Sequence, residues 1–348
     1  MDGDLTRQTK ERPGEPKGRA RRLVNEFQRG FPLSPRPFRD VAARLDWSEA
    51  AVLDALTDLV EDGVVSRVGP VIRPNTVGVS ALAAMAVPAA RLEEVAGLVS
   101  RRPEVNHNYE REHRFNLWFV LAAGDQDRLE ATVRRIEAES GLPVMVLPML
   151  DDYYIDLGFD LDGGRKPRHA AAASGDATVI DDVDRRLLAA IQDGLPLSAE
   201  PYAEVAAVSG IDEDEILSRL GDLIQAGVIK RFGVIVRHYE CGYRHNAMVV
   251  WDVPDDAVHA AGRRLAEQEA VRLCYRRPRR LPDWPYNLFC MVHGSDRDGV
   301  RTEVERASVA TGLANCRRDI LFSVRRFKQR GARYDFGLDN HSARSDPA

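Results

Sequence analysis

The sequence predicts an α+β fold made by tandem duplication. Each half reads as a winged helix-turn-helix followed by a ferredoxin-like βαββαβ domain, with the two sheets paired by pseudo-two-fold symmetry. Two observations carry this reading. The first is an internal repeat of long period. Arg21-Arg-Leu-Val returns as Arg185-Arg-Leu-Leu, Phe31-Pro-Leu-Ser as Leu195-Pro-Leu-Ser, Phe38-Arg-Asp-Val-Ala-Ala as Tyr202-Ala-Glu-Val-Ala-Ala, and Gly63-Val-Val-Ser-Arg-Val-Gly69 as Gly227-Val-Ile-Lys-Arg-Phe-Gly233. The second is a change of hydrophobic period within each half, from helical spacing to strand-like alternation.

Residues 1–20 are polar and rich in Gly, Pro and basic side chains, the composition of a disordered tail. Helical segments at 21–29, 37–45 and 48–62 and an extended 64–72 define a winged-helix domain over 21–75. In its third helix Val52, Leu53, Leu56, Leu59 and Val60 recur at helical spacing, and Ser48 is a good N-cap. A ferredoxin-like domain over 76–160 follows: strand Ala81–Pro88, helix Ala90–Arg102, strands Glu104–Glu112 and Asn116–Gly124, helix Asp125–Gly141 and strand Val144–Leu150. A low-complexity linker occupies 161–181 and a second winged-helix domain 182–239. The second ferredoxin-like domain, 240–330, repeats the order with Asn246–Pro254, Asp255–Glu269, Val271–Arg277, Tyr286–Gly294, Ser295–Gly312 and Cys316–Val324, before a C-terminal tail over 331–348. A sheet with helices on one face must bury the other, and the duplicate half supplies the cover.

At 348 residues with 44% hydrophobic and 30% charged side chains, the composition is that of a soluble globular protein. There is no membrane-length apolar run, and the polar start lacks the apolar core of a secretory signal. Cys241, Cys274, Cys290 and Cys316 show no C-x-x-C spacing, which favours a reduced cytoplasmic protein over a disulfide or zinc framework. A net charge of -5 gives no general attraction to nucleic acid. The helices that would enter a DNA groove are themselves acidic: 46–62 carries Asp46, Glu49, Asp54, Asp58, Glu61 and Asp62 without Lys or Arg, and 212–222 has five acids against Arg219. DNA phosphates repel such a face, so these helices read as packing or dimerisation elements.

Chemistry concentrates in His107-Asn-Tyr-Glu-Arg-Glu-His-Arg-Phe-Asn-Leu-Trp118 and its altered copy Leu273-Cys-Tyr-Arg-Arg-Pro-Arg-Arg-Leu-Pro-Asp-Trp-Pro-Tyr-Asn-Leu-Phe289. Strand alternation puts Val105, His107, Tyr109 and Arg111 on one face and Asn106, Asn108 and Glu110 on the other. In the copy, Leu273, Tyr275 and Arg277 share a face and Arg276 points the opposite way. His113 and Arg114 form one basic hairpin. Arg277, Arg279 and Arg280 beside Trp284 form a longer one, suited to a flat, multiply anionic ligand because guanidinium pairs with carboxylates and stacks on π systems. The plainer alternatives are a packed strand histidine and solvated surface arginines. His107 and His113 lack metal-ligand spacing, and no catalytic triad, phosphate loop or dinucleotide fingerprint is present.

On these motifs the sequence resembles the siroheme decarboxylases, Lrp/AsnC-like proteins of the d1-type heme and alternative heme pathways. The first motif is close to the family's His-Asn-Tyr-x-Arg-Glu-His-x-Tyr-Asn-Leu-Trp pattern. Asn246-Ala-Met-Val-Val-Trp-Asp-Val-Pro, Cys274-Tyr-Arg-Arg-Pro and Asp283-Trp-Pro-Tyr-Asn-Leu-Phe look like the signature of the family's other subunit, so the chain resembles a fusion of the two. Phe115 stands where Tyr is commoner, and Leu273 where some relatives have His, which makes the two halves chemically unequal.

The resemblance implies loss of carbon dioxide from two acetate side chains of siroheme, giving didecarboxysiroheme, with no cofactor beyond the substrate's own iron. For that chemistry His107 or Tyr109 is the natural proton donor, and the expected arrangement has His107 as general acid with Tyr109 and Arg111 placing an acetate, and Tyr275 as counterpart acid or orienter. His113, Arg114, Trp118, His245, Arg276, Arg277, Arg279, Arg280 and Trp284 are the expected substrate contacts, and His107 or His245 a candidate axial ligand to the iron. The expected setting is cytoplasmic, off the membrane, with siroheme as partner, room for a homodimer of fused chains, and contacts with other heme-biosynthesis enzymes. The competing readings are a ligand-sensing transcriptional regulator of the same fold and a non-catalytic siroheme-binding protein, a chaperone or scaffold.

Overall fold

The structure is a computed structural model that describes residues 18–155, 180–236, 245–294 and 296–334. The first winged helix comprises α1 (Gly18–Phe27), α2 (Pro37–Leu45), α3 (Glu49–Glu61) and strand β1 (Val65–Ile72). Pro37 opens α2 where its missing N–H costs nothing, and the Ser48 hydroxyl accepts from Ala51 N–H at the start of α3. The first helix starts at Gly18, inside the stretch read as a disordered tail.

A first ferredoxin-like unit follows: β2 (Val79–Met85), α4 (Leu92–Ser100), β3 (Val105–Arg111), β4 (Leu117–Ala123), α5 (Gln126–Ser140) and β5 (Met145–Pro148), then a further strand β6 (Asp151–Ile155). The second half repeats the winged helix as α6 (Asp182–Ile191), α7 (Pro201–Ser209), α8 (Glu213–Gln225) and β7 (Ile229–Val236). Its ferredoxin-like unit is β8 (His245–Trp251), α9 (Val258–Ala266), β9 (Val271–Arg276), β10 (Leu288–Gly294), α10 (Arg297–Thr311) and β11 (Arg318–Gln329). The duplication extends to the caps. Asp125 and Asp296 cap the N-termini of α5 and α10, and Gly141 and Gly312 close them in the left-handed conformation. The linker expected at 161–181 lies almost wholly outside the described residues.

The two winged helices form one body. Their wings pair antiparallel, β1 with β7, in a register centred on Gly69 opposite Gly233. Phe27, Phe31 and Phe38 of the first half join Tyr202 and Phe232 of the second in a single buried core. Gly233 is required by this docking: a Cβ there would collide with the carbonyl oxygens of Phe27 and Gln28, which are backbone and cannot swing aside. Gly233→Ala should therefore lower the unfolding free energy by about 1–3 kcal/mol, read as a drop in denaturation midpoint.

The remaining strands form one nine-stranded sheet in the order β5-β2-β4-β3-β11-β8-β10-β9-β6. Only Met149 and Leu150 separate β5 from β6, yet these strands lie at opposite ends of that order, so the sheet folds back on itself. Helices α4 and α5 cover one outer face, with Val95, Val99, Val133 and Ile136 in its core, and α9 and α10 cover the other, with Val258, Leu265, Val300 and Val304. The bare inner faces meet. Leu82, Ala84, Trp118 and Leu147 of the first half pack on Met248, Val250, Trp284, Tyr286, Phe289, Met291 and Leu321 of the second.

Strand exchange joins the two sheets and departs from the expected elements. The single last strand expected at Val144–Leu150 is split: β5 stays with β2, while β6 crosses to β9. In the second half β11 continues past the expected end at Val324, pairing with β8 through Phe322 and with β3 from Ser323 to Gln329. Residues 331–334, read as tail, pack back on the winged helices; Tyr334 is buried, and the Arg333 Nε donates to Asp193 at 2.8 Å. Each crossing strand satisfies an edge that would otherwise expose unpaired backbone.

Candidate active site

The inner face of β3 begins with a bulge between Val105 and His107. One extra residue inverts the side-chain parity. Val105 therefore lies in the outer core under α4, rather than with His107 as simple alternation predicts. Asn108 also faces outward, its amide donating to Ala96 O at 3.1 Å and Ser100 Oγ at 3.0 Å. The imidazole of His107 stacks near Tyr109, with ring centroids 6.2 Å apart, and the guanidinium of Arg111 sits 5.8 Å from the Tyr109 ring.

The copy on β9 has the same logic. Arg277, just beyond the strand, lies 4.7 Å over the Tyr275 ring and donates to Leu147 O of β5. Arg111 donates to Leu321 O at 3.0 Å and lies 4.0 Å from the Met291 sulfur, both in the opposite half. It also interacts electrostatically with Tyr275, which brings the two motifs together across the interface.

Arg111 and Arg277 are both buried, at 7% exposure each, and neither forms an ion pair with a carboxylate among the described residues. Burial pulls the Arg111 guanidinium down to about 10, against the opposing pull of Tyr109 and Tyr275. Burial lowers Arg277 likewise, against Tyr275. Both phenols are pushed up by desolvation, Tyr109 and Tyr275 alike, so each remains a neutral hydrogen-bond donor at neutral pH. Two buried cations flanked by phenols therefore lie without a carboxylate partner among the described residues.

The hairpins beyond the two strands also meet. Arg114 donates to Asp283 Oδ1 at 2.7 Å, and the His113 ring lies 5.5 Å from Trp284. His113 Nδ1 accepts from Phe115 N–H at 2.9 Å, and its Nε2 is 3.7 Å from Asp319. Burial lowers the His113 pKa from 6.5, partly opposed by Asp319. Because the unfolded chain then binds the proton more readily, stability should fall as pH drops through about 6.5, and His113→Gln should flatten that fall in a thermal-denaturation series.

Four expected substrate contacts are placed otherwise. Arg276 faces α9, 3.5 Å from Asp151 Oδ2 and 3.4 Å from His259 Nε2, on the side of the sheet away from Arg277. Arg279 is saturated by Asp252 and Asp255, both at 2.7 Å, and by the carbonyls of Val253 and Pro285. It braces its own loop and has no fork left for a ligand. Trp118 and Trp284 are core residues, 1% and 0% exposed with ring centroids 5.1 Å apart, and they hold the halves together. Arg280 is exposed, its Nε donating to Val146 O at 3.0 Å. His245 begins β8 opposite Gly294, and its side chain lies outside the described residues.

Two residues missed in the sequence stand beside the His107 row. In the β3–β11 register Arg326 is opposite Tyr109 and Gln329 opposite His107, and Arg326 Nη1 donates to Gln329 Oε1 at 2.9 Å. The basic run Arg325-Arg-Phe-Lys-Gln-Arg330 was the available signal, but nothing local to it indicates pairing with a strand more than two hundred residues earlier.

Two ferredoxin-like units closed face to face over a seam that buries Arg111 and Arg277 define a duplicated α+β protein. A profile of the AsnC-like ligand binding domain matches residues 76–153 and 240–328, and one of the siroheme decarboxylase NirDL-like HTH domain matches 20–65 and 184–230. The chain is 44% identical to the siroheme decarboxylase NirDL subunit of Paracoccus denitrificans, covering 89% of this chain and 95% of that one. The siroheme decarboxylase NirD subunit of Pseudomonas aeruginosa is 50% identical over 42% of this chain and 97% of its own length. A crystal structure of the siroheme decarboxylase NirDL with an iron-uroporphyrin III analogue superposes with a TM-score of 0.66 at 30% identity, covering 91% of this chain and 93% of that one. The chain belongs to the siroheme decarboxylase family.

Proposed function

We propose that this chain is a cytoplasmic carbon–carbon lyase that removes carbon dioxide from two acetate side chains of siroheme, giving didecarboxysiroheme for d1-type heme formation. The buried pair Arg111 and Arg277, without a carboxylate partner among the described residues, carries this reading. A cation held in a low-dielectric interior without an anion costs stability, and a polycarboxylate ligand that neutralises it explains why the cost persists. The row from His107 to Arg111 extends about 13 Å along the strand, long enough for an extended ligand rather than a single carboxylate. Among the described residues no helix is long and apolar enough to cross a membrane.

Breaking the carboxylate's C–C bond leaves its electron pair on the pyrrole-attached methylene, where the conjugated macrocycle delocalises it, and a proton then converts the carbanion to methyl. His107 delivers that proton, and Tyr109 orients the reacting acetate. Arg111 and Arg277 hold spectator carboxylates. Pairing a guanidinium with the reacting carboxylate would stabilise the ground state and slow its departure. Arg114 and Arg280 line the exposed rim.

Anaerobic incubation with siroheme, followed by mass analysis, should show two successive losses of carbon dioxide without added cofactor. Siroheme that binds but keeps its mass would identify a carrier instead.

A further inference from the structure

The pseudo-two-fold axis allows the two inner rows to be compared position by position. Tyr109 corresponds to Tyr275, Arg111 to Arg277 and His107 to Leu273. The exchanged strands correspond too: β11 places Arg326 opposite Tyr109 and Gln329 opposite His107, whereas β6 places Asp152 opposite Tyr275 and Ile155 opposite Leu273. On the outer faces the symmetry holds with charges reversed, Glu110 with Arg325 at 3.3 Å answering Arg276 with Asp151 at 3.5 Å. On the inner faces it fails. Arg326 acts electrostatically on Tyr109 and donates to Gln329. Asp152 is instead tied to the wings, accepting from Arg73 at 3.1 Å and Lys230 at 3.3 Å.

We propose that the exchanged strand β11 supplies Arg326 and Gln329 as substrate-binding residues of the His107 site, and that this is the single reactive site of the chain. The inference rests on the decarboxylase reading. Residues directly opposite in an antiparallel pair share a face, so Arg326 extends the cationic row of Arg111 beside His107 and receives a peripheral carboxylate there. Gln329 fixes the guanidinium and keeps an amide N–H₂ for the ligand. At the mirror positions Leu273 stands where His107 does, and Asp152, already held by two cations of the wings, stands where Arg326 does, so that row lacks both the imidazole and the guanidinium offered to a carboxylated macrocycle on the His107 side. One reactive site must take the two acetates in turn, so the singly decarboxylated tetrapyrrole has to reorient between the two steps.

The test compares wild type with Arg326→Gln, Gln329→Ala and Asp152→Asn, titrating iron-uroporphyrin by absorbance and assaying siroheme turnover anaerobically, with thermal denaturation as a folding control. Wild type should bind one macrocycle per chain. Arg326→Gln should weaken binding and raise KM about 10–100-fold with a much smaller change in kcat, as expected for one lost charge-assisted hydrogen bond. Arg326→Lys should recover part of the loss, and Gln329→Ala should shift KM in the same direction. Asp152→Asn should leave turnover within about twofold of wild type, as expected for loss of a partly exposed ion pair away from the chemistry. Unchanged binding in a folded Arg326→Gln alongside an active wild type overturns the proposal, as does a stoichiometry of two. An inactive wild type whose binding still depends on Arg326 would overturn the decarboxylase reading and leave the binding assignment standing.

Discussion

His107→Ala should reduce siroheme decarboxylation about 10²–10⁴-fold, the range lost when a positioned general acid is removed. His107 is the proton-donating group of β3 that β9 lacks at the equivalent place, because Leu273 there cannot donate a proton. The loss should fall on kcat, with macrocycle affinity within about tenfold of wild type, since Arg111 and Arg277, the proposed carboxylate contacts, remain. Single-turnover mass analysis separates the steps: bound siroheme should persist with both acetates intact. A variant that still completes both decarboxylations at the wild-type rate would transfer the proton-donor role to Tyr109. A shift of the bound siroheme absorption in the variant would mark His107 as an iron ligand instead.

The second large effect concerns Arg111. Arg111→Met should weaken iron-uroporphyrin binding about 10–100-fold, the equivalent of one charge-assisted contact, while the thermal midpoint stays level or rises. The opposite signs follow from one physical cause. A buried guanidinium whose described partners are a carbonyl oxygen, a sulfur and aromatic rings is under-compensated, and similar replacements of buried ions by apolar side chains are neutral or stabilising by about 1–4 kcal/mol. Loss of the hydrogen bond to Leu321 O offsets part of that gain. Stability and binding therefore trade against each other at this position, as they do at sites built for a ligand. A variant that unfolds earlier and binds as well as wild type would make Arg111 a structural brace between the halves.

Much of the fold was legible in the sequence because it depends on local rules. The repeat, the helical spacing of Val52, Leu56 and Leu59, and the Asp and Gly caps around α5 and α10 each act over a few residues, and each recurs in both halves. Part of the site was legible for the same reason: alternation along β9 put Tyr275 and Arg277 on one face and Arg276 on the other, as observed. The family followed from motifs too long to be a fold-level likeness.

Tertiary structure decided the rest. The bulge before His107 reverses the orientation of Val105, because one unpaired residue on β3 is accommodated against β4, which the local hydrophobic pattern does not encode. Arg279 reads from sequence like Arg277, but Asp252 and Asp255 lie within its reach only after β8 and α9 have packed beside the loop. Trp118 and Trp284 look like stacking platforms in a linear motif and become core when the two sheets close. Above all, strand exchange brings Arg326 beside Tyr109 and Asp152 beside Tyr275. The sequence by itself determined a duplicated fold and two unequal Arg/Tyr strands. Which charged groups surround each strand was set by long-range backbone pairing across the pseudo-two-fold, where the unpaired edge of one half is satisfied only by the last strand of the other.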